Sequence, residues 1–268
     1  MKIHKTAIVD PKAKIAADVA IGPYAVIGAN VVIGERSTIE SHVVIDANVT
    51  IGSGNLISHG AIIGTAPQDV SFSPERKTYV AIGNENVIRE YCTIHRGSPE
   101  GSVTKIGDKN FLMTNAHVGH NCEIGNNVII ANNCLLGGHV SVGDGAFLGG
   151  ACVFHQQMCV GRLAITQGAS AFGKDIPPFV IAAERNYVFG LNVVGLRRAG
   201  FSAKDRDEIK AAFKLVYTSG LNITQAIEKA ATIKFGAAAR EFIDFVAHAK
   251  ERGVCPYHHH EGREAHED

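Results

Sequence analysis

The sequence predicts a mainly β protein, a parallel β-helix followed by a small C-terminal α-helical domain. Three observations support this fold class. Branched aliphatic residues recur every six positions, 29 glycines stand against no tryptophan, and the apolar spacing changes to three and four beyond about residue 196. A six-residue repeat is typical of parallel β-helices, and a spacing of three and four is typical of amphipathic helices.

The six-residue repeat begins at residue 3. Isoleucine or valine occupies eleven successive positions of this period, at 3, 9, 15, 21, 27, 33, 39, 45, 51, 57 and 63. The residue four places after each anchor is usually small, so both should point into the coil while the residues flanking the anchor point outward. Three hexads close one triangular coil, and residues 18 apart then stack at about 4.8 Å.

Two interruptions break the repeat. The period loses its phase after Ile63 and resumes at Ile82, which predicts an extruded loop at 65–81 within a β-helix that spans 1–183. The segment 97–104 keeps the phase and fits either an irregular hexad or a six-residue excursion.

The remaining residues, 184–268, are predicted to form the helical domain. Ser202 is a candidate N-cap, and two further helices fit residues 224–234 and 237–252. The tail from about Pro256 is expected to be disordered, and its run of three histidines is expected to have no structural role.

Composition excludes several classes of protein. Twenty-six basic residues balance twenty-six acidic ones, so no net charge recruits nucleic acid or an anionic membrane. No apolar stretch approaches the roughly 18 residues of a membrane span, and the first residues lack the features of a secretory leader. We therefore expect a cytoplasmic protein with no membrane span.

The cysteines are expected to be reduced core residues. Cys92, Cys122, Cys134 and Cys152 all occupy the small inward position of a hexad. No CxxC pair exists, so the sequence gives no support for a zinc ribbon, and no metal is expected.

Histidines cluster on one outward face of the predicted coils. With the stacking interval of a three-hexad coil, His120 should lie over Gly138. His95 joins the same face only if residues 97–104 contain an excursion, and we favour the excursion for that reason. The residues of this face are His95, His117, Gly119, His120, Asn121, Gly137, Gly138, His139, His155 and Gln156.

This face has the chemistry that acyl transfer needs. Packing does not explain outward histidines, since apolar side chains already fill the inward positions. An imidazole, with an unperturbed pKa of roughly 6.5, can take a hydroxyl proton, and a bare glycine amide can stabilise an oxyanion. A base beside such a donor requires no nucleophilic serine or cysteine.

The motifs resemble those of one known family. The stretches that carry the resemblance are Ile94-His95-Arg96-Gly97, Asn115-Ala116-His117-Val118-Gly119-His120, Gly138-His139-Val140, His155-Gln156, Asp175-Ile176-Pro177-Pro178 and Gly195-Leu196-Arg197-Arg198-Ala199-Gly200-Phe201-Ser202. They are similar to stretches of the acyl-[acyl-carrier-protein]:UDP-N-acetylglucosamine O-acyltransferases, which begin lipid A biosynthesis. The resemblance spans nearly the whole chain.

The resemblance implies a fold, partners and a reaction. The coil would be left-handed, and the protein would be a homotrimer with sites between neighbouring subunits. The enzyme would move a 3-hydroxyacyl chain from acyl carrier protein to the 3-hydroxyl of UDP-N-acetylglucosamine. No cofactor is implied beyond the phosphopantetheine that carries the acyl donor.

The resemblance also implies roles for single residues. His120 matches the general base and Gly138 the oxyanion donor, while Gly168 matches the position that measures acyl length, where glycine favours a longer chain. The positions expected to bind the nucleotide sugar or the acyl product, or to lie beside those that do, are Gln68, Asp69, His95, His117, Asn121, His139, His155, Gln156, Asn192 and Arg198.

Four positions depart from the family pattern and leave the acceptor open. Asn121 replaces a frequent Asp, Val194 a frequent Glu, Ala199 a frequent Arg and Ser71 a frequent Lys. One alternative is an amide-forming relative that acts on a 3-amino analogue of the sugar nucleotide. Another is a hexapeptide acyltransferase with a different amine acceptor.

A β-helix carbonic anhydrase is the alternative from a different class of enzyme. It would need three histidines that converge on zinc at about 2.0–2.1 Å. No histidine spacing in this sequence matches such a ligand set.

Overall fold

A computed structural model describes residues 2–249 and 252–258 of the chain. The described part is a left-handed parallel β-helix of short strands followed by helices. The strands before the long loop are β1 (Lys2–Ile3), β2 (Ile8–Val9), β3 (Lys14–Ile15), β4 (Ala20–Ile21), β5 (Val26–Ile27), β6 (Val32–Ile33), β7 (Thr38–Ile39), β8 (Val44–Ile45), β9 (Val49–Ile51), β10 (Leu56–Ile57) and β11 (Ile62–Thr65).

The strands after the loop complete the β-helix. They are β12 (Tyr79–Ile82), β13 (Val87–Ile88), β14 (Thr93–His95), β15 (Val103–Ile106), β16 (Phe111–Leu112), β17 (His117–Val118), β18 (Glu123–Ile124), β19 (Ile129–Ile130), β20 (Leu135–Leu136), β21 (Ser141–Val142), β22 (Phe147–Leu148), β23 (Val153–Phe154), β24 (Cys159–Val160), β25 (Ile165–Thr166), β26 (Ala171–Phe172), β27 (Val180–Ala183) and β28 (Tyr187–Leu191). The helices are α1 (Val193–Arg198), α2 (Ala203–Tyr217), α3 (Ile223–Ala231) and α4 (Ala237–His248).

The strands form the three faces of a triangular prism. Sheet A contains β1, β4, β7, β10, β13, β16, β19, β22, β25, β27 and β28, sheet B runs from β2 through every third strand to β26, and sheet C runs from β3 likewise to β24. Pairing is parallel throughout the coils, and Lys2 of β1 lies beside Ala20 of β4. The predicted stacking interval of three hexads is therefore confirmed in the regular coils.

The core is a column of inward side chains. The anchors from Ile21 to Ile63 are at most 2% exposed, and the small inward residues from Val19 to Ala61 are equally buried. The inward cysteines at 92, 122, 134 and 152 are also fully buried, and all six cysteines are free thiols. The prediction that they fill the core is confirmed.

The corners of the coil use left-handed backbone at residues other than glycine. Asn30, Asn48, Asn127 and Asn133 have φ between 55° and 63°, a region that asparagine enters more easily than most residues. Because each such residue turns one corner, the sequence of the corners helps to set the closed triangular shape.

Both interruptions leave the coil at the corner between sheets B and C, which we call the B–C corner. In the regular coil before the long loop Thr38 pairs with Leu56, whereas across the loop Leu56 pairs with Val87, much further along the chain. Thr65 and Tyr79 to Ala81 belong to strands, so the predicted loop at 65–81 is too long, and the irregular segment is 66–78.

The second interruption is the six-residue excursion. Val87 pairs with Phe111, and Thr93 pairs with His117, so each interval exceeds that of a regular coil by one hexad. The excursion lies between β14 and β15, also at the B–C corner. This prediction is confirmed, and His95 stacks in register with Gly119.

The C-terminal segment differs from prediction at several ends. Ser202 caps α2 in a capping box with Asp205, as expected, but α3 and α4 end at Ala231 and His248, before the predicted limits. Strand β28 lies beyond residue 183 and pairs antiparallel with β27. No helix in the described ranges is long and apolar enough to cross a membrane.

The tail from Pro256 was predicted to be disordered, but its first residues are ordered. The Val188 N–H donates to the Pro256 carbonyl and the His258 N–H donates to the Val188 carbonyl, each at 2.8 Å. The Tyr217 hydroxyl donates to the Cys255 carbonyl at 3.0 Å, which fixes the segment from the other side. Residues 259–268, with two of the three histidines of the run, lie outside the described residues.

Replacement of an anchor should destabilise the coil. Ile45 is fully buried, so Ile45→Ala removes core contacts and leaves a cavity, and we expect a loss of about 3 kcal/mol in the free energy of unfolding. Denaturant unfolding followed by circular dichroism measures this loss. The control is Ile8→Ala, since Ile8 is 66% exposed and should cost well under half as much. Equal losses in the two variants would contradict the assignment of inward and outward positions.

Candidate active site

The site is built at the B–C corner, where His120 follows β17 and precedes β18. Its imidazole lies against the Cα of Gly138 in the next coil, because a Cβ placed on Gly138 would lie 2.5 Å from the His120 Nε2 atom. A side chain at position 138 would therefore displace the ring. The structure places these two residues together as the stacking interval predicts.

A single hydrogen bond sets the proton on the His120 ring. The His120 Nδ1 atom lies 3.0 Å from the Asn121 Oδ1 atom, and an amide oxygen only accepts hydrogen bonds. Nδ1 therefore carries the proton in the neutral ring. The lone pair lies on Nε2, beside Gly138, where a base would need it.

The Gly138 N–H is available to a ligand. Within residues 2–249 and 252–258 it donates to no protein acceptor. The equivalent amides at the corner between sheets C and A are taken by side chains, since the Ser53 N–H donates to Asn84 and the Asn126 N–H to Asp144. The difference leaves a free backbone donor next to the His120 ring.

An inward thiol holds the peptide that contains this donor. The Cys122 thiol donates to the Gly137 carbonyl, with the sulfur 3.1 Å from the oxygen. That carbonyl belongs to the same peptide group as the Gly138 N–H. The plane of the donor is therefore fixed from inside the coil.

His95 and His117 form a second pair of rings, 5.2 Å apart, on the same face. Burial, with a smaller contribution from His95, lowers the pKa of His117 to about 4. The His117 Nδ1 atom is 2.8 Å from the hydroxyl of Thr93. This ring is therefore neutral at ordinary pH.

His95 is the most buried histidine of the face. Burial lowers its pKa, and its Nδ1–H donates to the Ala66 carbonyl at 2.7 Å. Its Nε2 atom is buried and has no partner in the described part of the chain. His139 stands edge-on to His120 at 5.1 Å, and its pKa is lowered by burial and by His120.

Asp69 brings a negative charge to the corner from the loop. Its Oδ1 atom accepts from the N–H and the hydroxyl of Ser71, and its Oδ2 atom accepts from the Ser98 hydroxyl at 2.9 Å. These hydrogen bonds, from Ser71 first, hold the pKa of Asp69 at about 2. Gln68, next to it, is exposed.

The base of the loop is fastened by Arg96. Its guanidinium pairs with Asp46 at 3.3 Å, donates to the Gly64 carbonyl at 3.1 Å and lies over the ring of Phe72. Sequence reasoning assigned no role to Arg96, Ser98 or Thr93. The six-residue period does not predict the contacts of segments that interrupt it, and this explains why the roles of Arg96 and Ser98 were missed.

Other predicted site residues lie elsewhere in one chain. Gly168 is at the corner between sheets A and B, beside Gly150. Asn192 is buried, caps α1 and donates to the Leu163 carbonyl at 2.9 Å, while Arg198 is the exposed last residue of that helix. A single chain does not bring these three residues to His120.

His155 and Gln156 occupy the coil after Gly137 on the B–C corner. Both are exposed, and the His155 Nδ1 atom lies 3.1 Å from the Gln156 carbonyl. Over the described residues, no group of three or more His, Cys, Asp or Glu side chains is arranged to hold a metal ion.

A groove on another face of the molecule does not contain these residues. It runs between sheet C and α4, has a volume of about 1140 Å³ and is bordered by Cys159, Arg162 and Glu241. On the histidine face, His95 is buried at the base of the loop, whereas His155 and Gln156 are exposed.

Hexapeptide coils with an outward histidine beside a free backbone N–H define a hexapeptide-repeat acyltransferase. Comparisons with known proteins agree. The "Bacterial transferase hexapeptide (six repeats)" model matches residues 1–35 and 104–138, and the "Udp N-acetylglucosamine O-acyltransferase; Domain 2" model matches residues 175–255.

Full-length relatives extend the match. The acyl-[acyl-carrier-protein]–UDP-N-acetylglucosamine O-acyltransferase of Burkholderia lata is 43% identical over 260 residues, covering 94% of this chain and 98% of its own length. The structure of the Francisella novicida UDP-N-acetylglucosamine acyltransferase superposes with a TM-score of 0.91 at 37% identity, covering 96% of this chain and 94% of that one. The Campylobacter jejuni enzyme gives a TM-score of 0.90 at 34% identity, covering 96% and 100%. The chain belongs to the acyl-[acyl-carrier-protein]–UDP-N-acetylglucosamine O-acyltransferase family.

The low pKa of His117 predicts a pH-dependent stability. Because the folded protein resists protonation of His117 down to about pH 4 while the unfolded chain takes the proton near 6.5, stability should fall as the pH drops through this window. Thermal unfolding midpoints in this range should fall less in His117→Asn. An NMR titration of the His117 ring should give a midpoint near 4, and a midpoint near 6.5 would contradict the burial described above.

Proposed function

We propose that this enzyme transfers a 3-hydroxyacyl chain from acyl carrier protein to the 3-hydroxyl of UDP-N-acetylglucosamine, the first step of lipid A biosynthesis. The observation that carries the proposal is the unprotonated His120 Nε2 atom, which lies beside the Gly138 backbone, whose N–H is free. The names of the relatives supply the acceptor and the carrier protein.

The proposed chemistry needs only groups of the site. The His120 Nε2 atom takes the proton of the sugar hydroxyl as its oxygen attacks the thioester carbonyl. The Gly138 N–H stabilises the oxyanion of the tetrahedral intermediate. When the intermediate collapses, the C–S bond breaks, and His120 returns its proton to the phosphopantetheine sulfur. No cofactor takes part beyond that phosphopantetheine.

The charge that develops on His120 would be balanced by the loop. Asn121 is neutral, whereas Asp69 carries a fixed negative charge that interacts electrostatically with His120. We assign Gln68, Asp69, His95, His117, Asn121, His139, His155 and Gln156 to binding of the sugar nucleotide or the acyl chain around this pair.

The enzyme is proposed to be a cytoplasmic homotrimer. Sheet B carries an outward apolar stripe, in which Leu135 and Val153, 44% and 43% exposed, stack in the two coils that follow His117. Exposed apolar patches of this kind mark protein interfaces. A neighbouring subunit against this stripe would also supply Gly168, Asn192 and Arg198, which one chain keeps away from His120.

The test is a transfer assay with 3-hydroxyacyl carrier proteins of several chain lengths. UDP-N-acetylglucosamine and its 3-amino analogue are compared as acceptors, and faster ester formation is expected. His120→Ala should lower kcat by roughly 10²- to 10⁴-fold while the circular dichroism spectrum is unchanged. A strong preference for the amine would instead identify an amide-forming relative, and near-normal turnover of His120→Ala would exclude the proposed base.

Gly168 is proposed to limit the length of the acyl chain. It is exposed and stacks beside Gly150, so neither of these two coils places a side chain at this position of the corner. Gly168→Met should place a side chain in the acyl path and shift the preferred donor to a shorter chain, since each methylene that no longer fits costs about 1–3 kcal/mol. The same panel of donors measures this shift. An unchanged profile of chain lengths would contradict the role.

A further inference from the structure

Ser98 links the loop to the catalytic corner from within the six-residue excursion. The side chain is 5% exposed. Its hydroxyl donates to the Asp69 Oδ2 atom at 2.9 Å, and its backbone N–H donates to the Asn121 Oδ1 atom at 2.8 Å. Arg76, also in the loop, contacts the Ser98 carbonyl with its Nη1 atom at 3.4 Å.

The contact with Asn121 matters because an amide side chain has two unlike ends. A carboxylate would accept a hydrogen bond from the His120 Nδ1–H in either orientation. An amide rotated by half a turn would present its NH₂ group to Nδ1, and the ring proton would then move to Nε2. His120 would lose the lone pair at the atom that faces the substrate.

The Ser98 N–H removes this ambiguity. A backbone N–H can only donate, so the rotated amide would place two donors against each other. The Asn121 Oδ1 atom thus accepts from Ser98 and from His120 at once. The orientation of the amide fixes the tautomer of the ring.

We propose that Ser98 is a positioning residue that fixes the catalytic tautomer of His120 through Asn121, and that Asp69 holds Ser98 in place from the loop. The contact of the loop at 66–78 with Ser98 then sets the proton position on the base. The inference deepens the proposed function and rests on it for the role of His120.

The test is a double-mutant cycle between Ser98→Ala and Asn121→Asp. Ser98→Ala keeps the backbone N–H that contacts Asn121 but removes the hydroxyl bond by which Asp69 holds that N–H in place. In the native background this change should lower kcat about tenfold, the size of one lost hydrogen bond to a charged group, with little change in the KM for the sugar nucleotide. In the Asn121→Asp background the same change should cost less than about threefold, because a carboxylate has no wrong orientation. Equal losses in both backgrounds would overturn the proposal.

A second measurement is independent of activity. Long-range ¹H–¹⁵N NMR spectra of the protein with ¹⁵N-labelled histidine report the tautomer of His120, assigned by comparison with His120→Asn. The unsubstituted protein should show the Nδ1–H form, and Ser98→Ala should show a mixture of tautomers. A pure Nδ1–H form in Ser98→Ala would overturn the proposal. If no variant transferred acyl groups but the tautomer shifted as expected, only the proposed function would fail.

Ser102→Ala is the matched control. The Ser102 hydroxyl lies in the same excursion and donates to the Pro99 carbonyl at 2.6 Å, without contact to Asp69 or Asn121. Its removal should leave both kcat and the His120 tautomer unchanged. A tautomer shift in this variant would show that any loosening of the excursion suffices, which would also overturn the specific role of Ser98.

Discussion

The register of the parallel coil is the constraint on which the rest of the structure depends. Strand pairing at a fixed interval stacks every residue over its counterpart in the next coil, so an insertion is accommodated only where the chain leaves a strand. Both insertions use the B–C corner, in successive coils. As a result Ser98 contacts both Asp69 and Asn121, although the three residues come from three separate coils.

The pKa values of the site residues follow from the burial of two histidines and from the hydrogen bonds of Asp69. Burial lowers the pKa of His95 and holds the pKa of His117 at about 4. Asp69 keeps its charge because three hydrogen bonds compensate it. The site therefore combines two histidines of lowered pKa with a fixed carboxylate. In the proposed mechanism, that carboxylate would stabilise the proton that His120 gains during turnover.

The six-residue period was enough to predict which residues point inward and which stack on one another. It did not predict contacts made by segments outside the repeat. Inward cysteines, the stacking of His120 on Gly138 and the excursion that aligns His95 all follow from counting residues. The contacts of Ser98 do not, because an excursion has no register. The ordered tail was missed because backbone bonds to Val188, which is distant in sequence, hold it, and its composition gives no sign of them.

The two insertions have little effect on the entropy of closing the coil. Loop-closure entropy grows with the logarithm of the number of residues between paired strands, so the longer interval across the loop costs about 0.5 kcal/mol more than a regular coil, and the interval across the excursion about half as much. A solenoid can thus acquire or lose a loop at a corner with little change in the entropy of closing its coils. Local changes in loop length at the B–C corner are therefore a low-cost route by which such a coil could acquire a different acceptor.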